Sequence, residues 1–130
     1  MLNRRSFLAL SATTALAISL TGESIAAQTA SWKHIPGSIP PPPRWDHTLS
    51  ADSNRERLIV ACGRDDSGIA LGDCYVADRA NGDWRQIEAN GPEARFGHAV
   101  AVDRESDTLY LFGGQNADVF YNDLWALELE

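Results

Sequence analysis

The sequence is poor in the residues from which most recognisable reactive centres are built. It has two cysteines, three histidines and one methionine in 130 residues. It contains no HExxH pair, no nucleophile elbow, no phosphate-cradling glycine loop and no close cysteine-histidine cluster, so nothing in it points to the chemistries those patterns serve. Basic residues are also scarce, with 11 Lys and Arg against 18 Asp and Glu and a formal charge of −7. An acidic chain without a basic cluster repels a phosphate backbone, and nucleic acid is not an expected partner. Beyond the first thirty residues no stretch has the three-to-four spacing of an amphipathic helix, which leaves β-structure as the way to bury its apolar 44%.

What is present begins with a leader. Arg4-Arg5 is followed by an uncharged stretch from Ser6 to Gly22 and by the small residues of Ser24-Ile25-Ala26-Ala27. This is the charged, apolar and small-residue order of an export signal, with cleavage expected after Ala26 or Ala27. Ser and Thr dilute the apolar stretch, which is short for a spanning helix, so no stable membrane anchor is expected. Asn3-Arg4-Arg5-Ser6-Phe7-Leu8 resembles the bacterial twin-arginine signal, although Asn3 stands where that pattern has Ser or Thr; the general secretory route is the alternative. Either route implies a periplasmic or extracellular protein. Loss of two arginines and one glutamate with the leader would move the formal charge from −7 to −8.

The rest of the chain is organised by an internal echo. Pro92–Gly114 reads PEARFGHAVAVDRESDTLYLFGG, and fifty-one positions upstream Pro41–Gly63 reads PPPRWDHTLSADSNRERLIVACG. Without a gap Arg44 falls on Arg95, His47 on His98, Asp52 on Asp103, Leu58 on Leu109 and Gly63 on Gly114. Each copy implies the same strands: Arg44–Ser50 and Phe96–Val102 first, then an acidic turn, then the apolar runs 58–62 and 109–112. Asp73–Ala77 and Asp123–Leu129 follow as third strands, and Trp84–Ile87 is a fourth, introduced by the turn dipeptide Asn81-Gly82. Trp32–Ile35 has the same Trp-to-Ile spacing as Trp84–Ile87, which suggests an outer-strand remnant ahead of the proline-rich run 36–43. The segmentation is therefore 1–26 leader, 27–43 remnant and connector, 44–91 first repeat and 92–130 second repeat lacking its fourth strand.

Arg95, Gly97 and His98, the run Leu109–Gly114, Asn122–Trp125 and the tryptophans Trp32 and Trp84 together resemble a kelch repeat. The first copy departs from that pattern at Asp46, in the place of Gly97, and at Cys62, in the place of Gly113. The resemblance implies an all-β fold in which each repeat is a four-stranded propeller blade. It also implies that Arg95 and His98 serve loop carbonyls as architecture and that Trp32 and Trp84 pack between blades. Two blades cannot close a ring that needs four to eight. The chain is then either a piece of a longer propeller, the simpler case, or a protein whose copies assemble, three of them supplying six blades with Trp32–Ile35 of each completing a neighbour.

Two functional classes are compatible with this reading. In the first, the chain is a binding or scaffold module that recognises a protein or glycan through the variable loops Arg64–Ala70 and Gln115–Phe120. In the second, it is part of a propeller enzyme acting on sugars, copper oxidase-like or mutarotase-like. Copper would draw on His47 or His98 with Tyr75 or Tyr110, but those histidines belong to the repeat itself, where a ligand is more often an exception to a repeat. No catalytic, cofactor or metal residue is assigned on this reading. His34 reads as a surface side chain, and Asp65, Asp66 and Asp118 read as solvated carboxylates more readily than as a calcium site. Cys62 and Cys74 are either a disulfide across a hairpin or two small buried hydrophobes, Cys74 taking the place of Leu124.

Overall fold

The computed structural model describes residues 30–130. The expected leader, residues 1–26, lies outside the described residues. The chain divides into a unit up to Lys33 and a unit from His34 to Glu130, and the strands described below all belong to the second unit. Among the described residues no helix is long and apolar enough to cross a membrane.

The fold is all-β, with two antiparallel sheets in strict chain order. The first holds β1 (Thr48–Asp52), β2 (Arg57–Arg64), β3 (Ala70–Asp78) and β4 (Trp84–Gln86). The second holds β5 (Ala99–Asp103), β6 (Thr108–Phe112) and β7 (Leu124–Glu128). They resemble incomplete kelch-type propeller blades, and the register carries the repeat into three dimensions. Leu58 pairs with Ala51 and Ala77 in the first sheet, and Leu109 pairs with Val102 and Leu127 in the second.

Sequence explains why the second strand of each blade is the buried one. Ile59, Val60, Ala61 and Cys62 form a continuous apolar run, and all four are buried, as a strand covered on both faces must be. A single cluster joins the blades, made of Ile59, Ala61, Cys62 and Val76 from the first and Leu109, Leu111 and Leu129 from the second. The polar turns then latch one blade to the next. Asn54 Nδ2 donates to Arg104 O at 2.8 Å and to Asp107 at 2.7 Å, and Arg55 reaches both Asp107 and Leu129 O.

Two expectations need correction. The first strands begin later than the sequence suggests, at Thr48 and Ala99, because Trp45 and Phe96 are held in separate bridges to Arg64 and Gln115. Those bridges carry Arg44 and Arg95 away from the ladder and into the interior. Trp32–Ile35 forms no strand, and Trp32 is exposed rather than buried as expected. A β4-like sequence becomes a strand only against a sheet edge. Further on, Ser38 O accepts from the Trp84 amide and Ser38 donates to Asp83, so this connector lies along the β3–β4 turn.

Backbone conformation repeats even where residue type does not. Asp46 and Cys62 have φ of 49° and 53°, and their counterparts Gly97 and Gly113 have 64° and 69°. The first blade therefore keeps a left-handed conformation without the residue suited to it, at a cost of about 1 kcal/mol for each side chain.

Candidate functional site

The repeated arginines form two matching clamps. Arg95 Nη1 and Nη2 donate to the Asp123 carboxylate at 2.5 and 3.1 Å, Nη1 also donates to Gly113 O at 3.0 Å, and Nε donates to Glu93 O at 3.0 Å. Its guanidinium carbon stands 4.0 Å from the centre of the Tyr121 ring. Arg44 makes the same set to Asp73, Cys62 O and Pro42 O, over Tyr75. Four hydrogen bonds from each guanidinium are thus spent on the fold. The Arg95 bonds, with the Trp125 indole N–H as a second donor, hold Asp123 down to about 2. Its carboxylate stays charged through mild acid, and the stability it contributes is full above the unfolded carboxylate value and is lost as pH falls from there through about 2.

The histidines diverge. His47 is exposed, whereas His98 is 7% exposed and meets Thr48 Oγ1 through Nε2 at 2.9 Å, across the contact between β1 and β5. It serves a hydroxyl on the neighbouring blade, not the loop carbonyl expected of it. Its Nδ1 is buried without a partner, which favours the tautomer in which Nε2–H donates to Thr48. Burial first, then the charges of Arg95 and His47, lower His98 to about 4. A histidine whose pKa falls on folding contributes fully above its unfolded value near 6.5, and its contribution is lost as pH falls towards 4. Between pH 7.5 and pH 4.5 the chain should lose on the order of 2 kcal/mol for this reason. Urea unfolding across that range checks it, and His98→Gln should flatten the dependence.

The residues considered for copper lie in different surroundings. His98 serves Thr48, Tyr75 lies beside Arg44, Tyr110 is half-buried on β6, and His47 is exposed. Among the described residues no group of three His, Cys, Asp or Glu is placed to hold a metal ion. His34 is exposed, as read from the sequence.

The loops remain. Asp65 folds the first, its Oδ1 accepting from the Ser67 and Ile69 amides at 3.0 and 2.9 Å. Asn116 folds the second in the same way through the Asp118 and Val119 amides, while its Nδ2 donates to Tyr121 Oη. Asp65 is thus a loop organiser and not merely a solvated carboxylate; the sequence signal was an Asx residue two before its donor. The two loops present apolar side chains to solvent, Ile69 at 64% and Phe120 at 82% exposure, with Val119 and Trp45 also exposed. Asp66 and Asp118 are exposed beside them. At this end of the sheets the blades are joined by Gly97 N donating to Asp46 O and Gly63 N donating to Arg95 O. The loops thus spring from a braced base, with apolar tips and an acidic rim.

Residues 22–130 match the family described as the KLHDC2/KLHL20/DRC7 Kelch-repeats domain. Adagio-like protein 1 of Oryza sativa subsp. japonica is 34% identical over 111 residues, covering 75% of this chain and 17% of the relative. The Rab9 effector protein with kelch motifs of Gallus gallus is 36% identical over 93 residues, covering 68% of this chain and 24% of the relative. The chain thus spans only about a sixth to a quarter of the length of these curated relatives. The family match spans most of the chain, and the doubled arginine clamp, paired glycines and blade register agree with it: this chain belongs to the kelch-repeat family.

Proposed function

We propose that the chain is an exported kelch-repeat binding module that recognises a protein or glycan through Asp65–Ile69 and Gln115–Phe120. One observation carries the reading. Arg44, Arg95 and His98 of the repeat are consumed by the framework, while Ile69, Val119 and Phe120 are exposed on loops already folded by Asp65 and Asn116. Pre-folded loops lose less ordering entropy on binding, and exposed aromatic and branched side chains supply the area that anchors a partner. The chicken relative is by its name an effector of Rab9, which supports a protein partner over a glycan. The acidic rim formed by Asp66 and Asp118 favours a partner with basic residues around an apolar patch. No observation favours the sugar-enzyme reading.

The outer edge of β7 has no strand beside it among the described residues, so a further strand could add there from a longer chain or from a second copy. Export rests on the leader alone. Recovery of a periplasmic or extracellular product beginning at Ala27 or Gln28 would support it, and an uncleaved cytoplasmic product would not.

Recognition is tested on arrays of immobilised proteins and glycans with the wild type, Ile69→Ala and Phe120→Ala. Each substitution should weaken a genuine signal about tenfold or more, as truncating an anchor does, while leaving the unfolding midpoint unchanged. Signals indifferent to both substitutions would refute the loop assignment.

A further inference from the structure

The two cysteines have a relation that neither the repeat nor the loops account for. Cys62 occupies the position of Gly113 and keeps its left-handed backbone, with φ of 53°, so a side chain has been placed where the fold suits a glycine. In a regular ladder Cys62 would face away from its neighbour Ala61, yet both belong to the same buried cluster, against which Cys74 also packs. Cys74 is the cross-strand partner of Ala61, and the register shifts immediately after that pair. Cys62 and Cys74 consequently line one cleft of about 160 Å³ between the blades, with Leu109, Leu111 and Trp125 on its opposite side. The second blade has Gly113 and Leu124 at these places, so the pair is particular to the first.

We propose that Cys62 and Cys74 form a thiol pair that closes to an intramolecular disulfide and so fixes the loop Arg64–Ala70, which lies between them in the chain. Both are free thiols in the structure, Cys62 buried and Cys74 partly exposed. The oxidant is a low-molecular-weight disulfide. The Cys74 thiolate attacks it, forming a mixed disulfide and releasing one small thiolate; the Cys62 thiolate then attacks the Cys74 sulfur and releases the second. One S–S bond is broken and one formed, two electrons pass to the small disulfide, and the two thiol protons end on the released thiols. The bond does not depend on the recognition role of the loop.

Burial pushes Cys62 up to about 11 and Cys74 up to about 12. Arg95, Arg44 and Asp73 face Cys62, the arginines opposing the shift and the carboxylate adding to it; for Cys74 the Cys62 and Asp73 charges reinforce it and Arg44 opposes it. Closure is therefore slow at neutral pH and accelerates as pH rises, because the thiolate is the reacting species.

The test equilibrates the full chain with glutathione disulfide at about pH 9, where the thiolate fraction is larger. The expected product has lost two hydrogens in mass, shows no thiol after denaturation, and yields on trypsin digestion one peptide pair joined through Cys62 and Cys74. Amide exchange in Arg64–Ala70 should slow by about tenfold or more, as closing a short loop implies. Cys74→Leu and Cys62→Gly, each restoring the second blade's residue, should fold and lose both effects. Persistent glutathione adducts, disulfide-linked dimers or two thiols remaining after denaturation would overturn the pair. A linked product with unchanged loop exchange would overturn its effect on the loop.

Discussion

Replacing Arg95 by methionine is expected to lower the unfolding free energy by about 3–4 kcal/mol, near the top of what a single side chain contributes. The reason lies in how completely the guanidinium is used. Arg95 is 1% exposed, and its removal strands the Gly113 carbonyl, which is buried, together with the Glu93 carbonyl and the Asp123 carboxylate. Asp123 itself is 39% exposed and water can take over part of its charge. The buried member of the pair is the arginine, so Asp123→Ala should be comparably damaging: it leaves a cation without a counterion inside the protein. Arg95→Lys should recover little, since an ammonium cannot reproduce the two-pronged geometry or the contact with Tyr121. Urea denaturation of the three variants checks the order, and a loss below about 1 kcal/mol for Arg95→Met, the range of an exposed pair, would show that the clamp is peripheral.

Gly114→Ala is expected to cost about 3 kcal/mol, from two causes that add. Gly114 has φ of 93°, where a side chain is strained, and a Cβ there would lie 2.9 Å from Phe96 O and 3.0 Å from His98 Cβ. The first of these contacts is with backbone held in the Phe96–Gln115 bridge, so little can move aside. The equivalent Gly63 has φ of 111° and would place a Cβ 2.7 Å from Trp45 O, and it should respond in the same way. Gly68 separates the causes: its φ is 82° but nothing stands within 4 Å, so Gly68→Ala should cost only about 1 kcal/mol. Thermal unfolding of the three variants reads the difference directly, and equal losses at Gly114 and Gly68 would mean that close packing against Phe96–His98 contributes nothing.

Much of this framework was legible in the sequence because each element carried a local signal. Arg44 and Arg95 repeat at fixed distance from a glycine stop, and the structure gives them the same carbonyl and carboxylate partners. The run Leu58–Cys62 announced a strand covered on both faces by lacking polar alternation, and Ile59–Cys62 are buried. Other features depend on what lies across space. His98 was recognisable as buried architecture, but its partner Thr48 is on the other blade and has no sequence mark. Trp32–Ile35 matches Trp84–Ile87 in spacing, yet only Trp84–Gln86 forms a strand, pairing with β3. Asp46 and Cys62 looked like departures from the repeat, whereas the backbone shows that the fold held its conformation there and accepted the cost. In the loops, Asp65 and Asn116 carried the signal of a turn, but which apolar tips they expose is decided by geometry.

The central claim is that the repeated residues hold the framework and the loops between them hold specificity. Its most direct test is binding by a chain in which Asp66–Ile69 and Ala117–Phe120 are replaced by glycine and serine at unchanged length, with Asp65 and Asn116 retained. The account predicts that array signals given by the wild type disappear while the unfolding midpoint stays within about 5 °C, a shift of about 1 kcal/mol for a domain of this size. Retention of those signals at full strength by the loop-replaced chain would contradict it.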